Sequence, residues 1–287
     1  MNEQIVAARI GLRAALQLRR SLSIPRETPI NVYDVAKAIG INVRFMDSPS
    51  LEGMFSRDPE PMVFLPSSKH RPSGRICFSC AHELGHQQLN HGTRVDEYVA
   101  GGHTGKRPVE EVTADVFAAQ LLMPRPAVLS AFYRRKLTPD SASPLQLYCI
   151  SREIGVGYET LLLHMEISLG LLSKSIADQH RRQTPKSIRA DVLDADIAAG
   201  LSIVDSEWAN VPVDVEVGDH VGMTGHPKEL PPQVGFDKQI KTYHFLKAMR
   251  PGVGTFNIYG RPIVVRVSRK HYAGPFSNKY LDDPDFE

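Results

Sequence analysis

The residues best suited to chemistry form one short run, Ala81-His82-Glu83-Leu84-Gly85-His86. On a helix His82 and His86 lie about one turn apart on the same face, so both imidazoles can reach one metal ion. Glu83 sits beside them, where its carboxylate can act as a general base. A catalytic metal of this type takes three protein ligands and keeps one position open, so a further ligand is expected from a neighbouring element. The next helical pattern, residues 108 to 123, carries Glu110, Glu111 and Asp115. Glu111 and Asp115 share a stripe with Ala118, Ala119 and Leu122 that otherwise reads as buried. Carboxylates on such a stripe are costly unless they meet a cation or a hydrogen-bond donor. Glu110 and Glu111 also suit a helix start after Pro108, a role that does not account for Asp115. Small Ala118 and Ala119, with Gly85 opposite, are expected to let the two helices approach closely.

The elements that must position these residues read as α+β. Ile5, Ala8, Leu12, Ala15 and Leu16 recur at helical spacing, and a second helix follows Asn31, an N-cap residue, and stops at Gly40. Ile41, Val43 and Phe45 alternate as a strand. Gly53 to Ser56 and Met62 to Leu65 read as a hairpin, one edge of which could take an extended peptide as an added strand. The two metal-bearing helices, around residues 79 to 91 and 108 to 123, are joined by a Gly-rich connection of about 16 residues, long for a compact domain. On it, Tyr98 and His103 are candidate donors to a developing oxyanion, and Gly101-Gly102 a candidate hinge.

Further on, helical patterns at 145 to 154 and 158 to 167 flank Gly155-Val156-Gly157, the outline of a helix-turn-helix over residues 144 to 173. Its second segment, Tyr158 to Glu166, holds two acids and no Lys or Arg, so direct DNA binding is not expected. After residue 188 the alternation of Val211 to Gly218 and of Pro262 to Val267 points to a β-rich domain.

The 287 residues, 42% hydrophobic and 23% charged, fit two domains, 1–180 and 188–287, and enough core to fold without a metal staple. No apolar run approaches the ~18 to 20 residues of a membrane span. The first residues lack the plan of a secretory signal, and the three cysteines, Cys77, Cys80 and Cys149, suit a reducing compartment; a cytoplasmic location is expected. Cys77 and Cys80 have no second pair to complete a structural metal site and read as packing residues. A net charge of +2 offers no bulk attraction to nucleic acid or an anionic membrane.

The run Phe78-Ser79-Cys80-Ala81-His82-Glu83-Leu84-Gly85-His86, followed 25 residues later by Glu111 on a helix that ends Phe117-Ala118-Ala119-Gln120-Leu121-Leu122-Met123-Pro124, resembles the ImmA/IrrE family of zinc metallopeptidases over about residues 1 to 175. The resemblance implies a zincin-like metallopeptidase domain that binds one zinc ion through His82, His86 and Glu111, with Glu83 as catalytic base. Asp115 would then be a carboxylate that orients a zinc-bound histidine, while Glu110 and Asp115 stay open as alternative ligands. It further implies endopeptidase action on a helix-turn-helix repressor of the Xre type, relieving repression of stress or mobile-element genes. Nothing comparable covers the last hundred residues, where a β-rich domain of regulatory or substrate-selecting role is expected. Two other classes of function are a non-catalytic metal-binding module that holds a partner protein and a DNA-binding transcriptional regulator.

Overall fold

In the computed structural model, which describes residues 3–92, 94–97, 107–194 and 199–282, Ala7, Gly11, Ala15 and Leu18 form the buried face of α1 (Glu3–Ser21). The chain divides into two compact units, Met1–Ser130 with Ile154–Val156 and Ala273–Phe276, and Ala131–Glu153 with Gly157–Tyr272 and Ser277–Glu287.

In the first unit, Asn31 caps α2 (Val32–Ala38), its side chain accepting from the backbone N–H groups of Tyr33 and Asp34, which satisfies donors that a helix start leaves orphaned. The strands β1 (Asn42–Met46), β2 (Leu51–Ser56) and β3 (Met62–Pro66) follow, then α3 (Ser73–Gln88), β4 (Arg94–Glu97) and α4 (Val109–Leu122). A late segment, β12 (Gly274–Pro275), completes a sheet of order β12-β1-β3-β2-β4. β1 and β3 run parallel, and the other pairs are antiparallel. Next to β12, Phe276 packs on Tyr33, ring centroids 5.2 Å apart.

The hairpin therefore offers no open edge. β3 lies between β1 and β2, and β2 lies between β3 and β4, because Arg94 to Glu97 pair with Leu51 to Phe55. That pairing also puts a strand inside the connection read from sequence as a loop. Likewise α3 begins at Ser73 rather than near 79, where the extended backbone of Pro72 (φ −61°, ψ 143°) gives way to helix.

α4 is clamped between two helices. A Cβ at Gly85 of α3 would lie 3.0 Å from a Phe117 ring atom and 3.2 Å from the Ala114 Cα, so at Gly85 the two helices meet closely against Ala114 and Phe117. On the other side, a Cβ at Gly11 of α1 would lie 2.4 Å from the carbonyl oxygen of Thr113. Buried Arg19 then ties the elements together: its Nε donates to the carbonyl of Leu121 in the last turn of α4, and its Nη1 to Pro25 and Thr28. A cation suits that helix end, although burial pulls the guanidinium down to about 10.

The division falls within α5 (Arg125–Arg134), not in the 180–188 stretch where the sequence changes texture. The second unit takes up α6 (Pro144–Ile154, its last residue excepted), α7 (Tyr158–Leu163) with a π-helical turn at His164–Ser168, α8 (Lys174–His180) and α9 (Pro185–Leu193). Its strands are β5 (Leu201–Ile203), β6 (Val213–Glu216), β7 (His220–Met223), β8 (Val234–Ile240), β9 (Tyr243–Ala248), β10 (Gly252–Ile258) and β11 (Arg261–Ser268). They form sheets of order β10-β11-β6 and β5-β7-β9-β8, and one core draws from both, including Val215, Leu246, Phe256, Val265 and Trp208. The helices join this unit through packing and polar contacts: Cys149 and Leu193 share a cluster with Leu201, Ile203 and Phe245, and the Tyr148 hydroxyl donates to the Leu201 carbonyl at 2.7 Å. The fully buried carboxylate of Glu153 pairs with Arg134 and Arg135, and Arg135 pairs with Asp205. Among the described residues no helix is long and apolar enough to cross a membrane.

Candidate metal centre

α3 carries His82, Glu83 and His86 in consecutive turns, and all three are buried. The four-residue step of the helix brings the His82 and His86 Nε2 atoms to 2.9 Å. α4 supplies the third group. Glu111 sets one carboxylate oxygen 3.3 Å from His82 Nε2 and the other 3.4 Å from His86 Nε2. Ligand atoms of the three residues all lie within 4.8 Å of one another, close enough for one ion. Two imidazole nitrogens and a carboxylate are the donor set that a borderline divalent cation such as zinc accepts, so the residues present fit a metal. The contacts with His82 and then His86 hold the Glu111 carboxyl far below the usual carboxylate range, against the upward push of burial.

Asp115, one turn beyond Glu111, meets the other side of His82: its Oδ1 lies 2.9 Å from His82 Nδ1, and Arg107 donates to its Oδ2. Burial alone would raise the Asp115 carboxyl, but His82 and Arg107 together leave it below its ordinary value. Asp115 thus faces the histidine nitrogen turned away from Glu111. Glu110 makes no ion pair with either histidine among the described residues. Tyr98 and His103 lie outside the described residues.

Two further residues belong to the centre without having been visible as candidates. Gly53 on β2 faces Glu83 so closely that a Cβ there would stand 2.4 Å from the Glu83 Oε1; the strand can pass the carboxylate only because position 53 has no side chain. His91, just past the end of α3, sets its Nδ1 3.0 Å from His86 Nδ1. Its signal in the sequence is a third histidine five residues after His86, outside the helix and so outside any helical-face argument.

A comparison with curated proteins found no match. A comparison with protein families matched residues 36–165 to a peptidase family described as the IrrE N-terminal-like domain. The matched stretch contains every residue of the centre. Residues 36–165, which include the His82, His86 and Glu111 cluster, are therefore similar to the ImmA/IrrE family of metallopeptidase-like domains.

Proposed function

We propose that the protein is a zinc-dependent endopeptidase whose single zinc ion is held by His82, His86 and Glu111. The observation that carries this reading is the convergence of two histidine Nε2 atoms and a carboxylate, with Glu83 on the same helix. Zinc bound there would polarise a scissile carbonyl and lower the pKa of a water from 15.7 towards about 7. The Glu83 carboxylate takes the proton from that attacking water and returns it to the leaving amine. Gly53 leaves the space in which that carboxylate sits. Asp115, fixed by Arg107, keeps the His82 ring in one orientation through Nδ1, the arrangement that holds metal-ligating histidines in register.

The substrate in this reading is a helix-turn-helix repressor of the Xre type, cleaved to relieve repression, and the resemblance to the ImmA/IrrE family is what supports it. Incubating the protein with a repressor encoded beside its gene tests both parts. Cleavage that requires zinc and disappears in Glu83→Gln supports the enzyme. Stable binding without cleavage would point instead to a non-catalytic partner-holding module, and salt-sensitive affinity for promoter DNA to a DNA-binding regulator.

A further inference from the structure

α3 ends in a turn that brings a third histidine back to the metal centre. Asn90 adopts the left-handed conformation (φ 56°). Its N–H donates to the Gln87 carbonyl at 3.2 Å, and the His91 N–H donates to the His86 carbonyl at 3.0 Å. This pair of bonds is the Schellman closure of a helix, with asparagine in the position that glycine usually takes. The reversal lays the His91 ring across that of His86, with centroids 5.0 Å apart and planes at 69°, and sets the two Nδ1 atoms 3.0 Å apart.

Two ring nitrogens at that distance share one proton, so one donates and the other accepts. His86 turns its Nε2 towards Glu111 and His82. Coordination through that atom needs its lone pair, and the neutral ring then carries its proton on Nδ1. We infer that His91 is a positioning residue for the metal centre: its Nδ1 accepts the Nδ1–H of His86 and fixes the tautomer and ring orientation in which His86 Nε2 binds zinc. The inference rests on the metal reading above. His91 meets the nitrogen of His86 that points away from Glu111, so it is not a fourth ligand to the same ion. It does for His86 what Asp115 does for His82, with an imidazole in place of a carboxylate.

The test measures zinc affinity of the full chain by competition with a chromogenic chelator, beside the melting temperature of each protein in chelator alone. His91→Ala is expected to bind zinc ~10 to 100 times more weakly than the parent. His91→Asn, whose side-chain oxygen replaces the acceptor near the same place, is expected to recover most of that loss. Metal-free melting temperatures should agree among the three proteins. Zinc affinity in His91→Ala within twofold of the parent overturns the inference, as does His91→Asn binding no better than His91→Ala, since packing rather than acceptance would then be at issue. A parent chain that binds no zinc overturns the metal reading and this inference together.

Discussion

Replacing Gly53 by alanine separates the placement of Glu83 from the binding of metal. The added Cβ would stand 2.4 Å from the Glu83 Oε1 and 3.1 Å from both Cγ and Cδ. An unstrained carbon-to-oxygen approach starts at about 3.3 Å, so the carboxylate must retreat by about 0.9 Å. The retreat is open to it, because the atom in the way is the far end of a side chain. The fold should survive, with overpacking costing about 1 to 3 kcal/mol. His82, His86 and Glu111 do not touch position 53 in this way, and zinc content should stay at one ion per chain. A misplacement of about 1 Å at a reacting group costs ~100-fold in rate, and that is the expected fall in kcat/KM for a repressor that the parent protein cleaves. The assay pairs initial cleavage rates with zinc content on the same samples. Parental activity in Gly53→Ala would refute the argument that the empty side-chain position sets Glu83. Loss of zinc in parallel with activity would place the effect in the metal ligands instead.

Glu111→Ala should lose most of the zinc affinity while Glu110→Ala keeps it, as read by chelator competition; equal retention in both would refute the ligand assignment on α4. Glu153→Ala leaves the buried guanidinium of Arg135 with one partner fewer and should destabilise the second unit by about 3 kcal/mol. The single tryptophan, Trp208, is buried in that unit, so urea unfolding followed by its fluorescence reports the loss, and a change of less than about 1 kcal/mol would mean that the network is no stronger than a surface pair. Burial above all pushes the Cys149 thiol up to about 12 and the fully buried Cys80 thiol well above its ordinary value. At pH 8 a thiol reagent should therefore modify no more than Cys77 in the native protein and all three cysteines after denaturation; rapid modification of two native thiols would contradict the packing seen here.

Local signals carried the elements whose ends are set by neighbours in sequence. Asn31 caps α2 with its own side chain, Pro108 precedes α4, and the HExxH spacing places both histidines on one face of α3. Other features depend on chain that is distant or irregular. β4 is four residues, Arg-Val-Asp-Glu, with too little apolar alternation to announce a strand, and it exists by pairing with β2 some forty positions earlier. β12 pairs with β1 across more than two hundred residues, which no local pattern can encode. The start of α3 was hidden because Ser73-Gly74-Arg75 opens it with neither a capping side chain nor an apolar stripe. In the centre itself, Gly53 was legible as a strand residue but not as the space for Glu83, since spacing along one element does not say which side chain crosses it from another. His91 was hidden because a left-handed asparagine, not helical periodicity, returns it to His86. The domain boundary read from charge and texture near residues 180–188 missed contacts such as Tyr148 to Leu201 and Arg135 to Asp205, which group the middle helices with the sheets that follow.

The most direct measurement of the metal centre is a crystal of the full chain grown with zinc, with anomalous scattering recorded at the zinc edge. One peak is expected, about 2.0 to 2.1 Å from His82 Nε2 and His86 Nε2 and about 2.0 to 2.2 Å from a Glu111 carboxylate oxygen. No peak among these three side chains, or a peak held by Asp115 or Glu110 in place of Glu111, would contradict it.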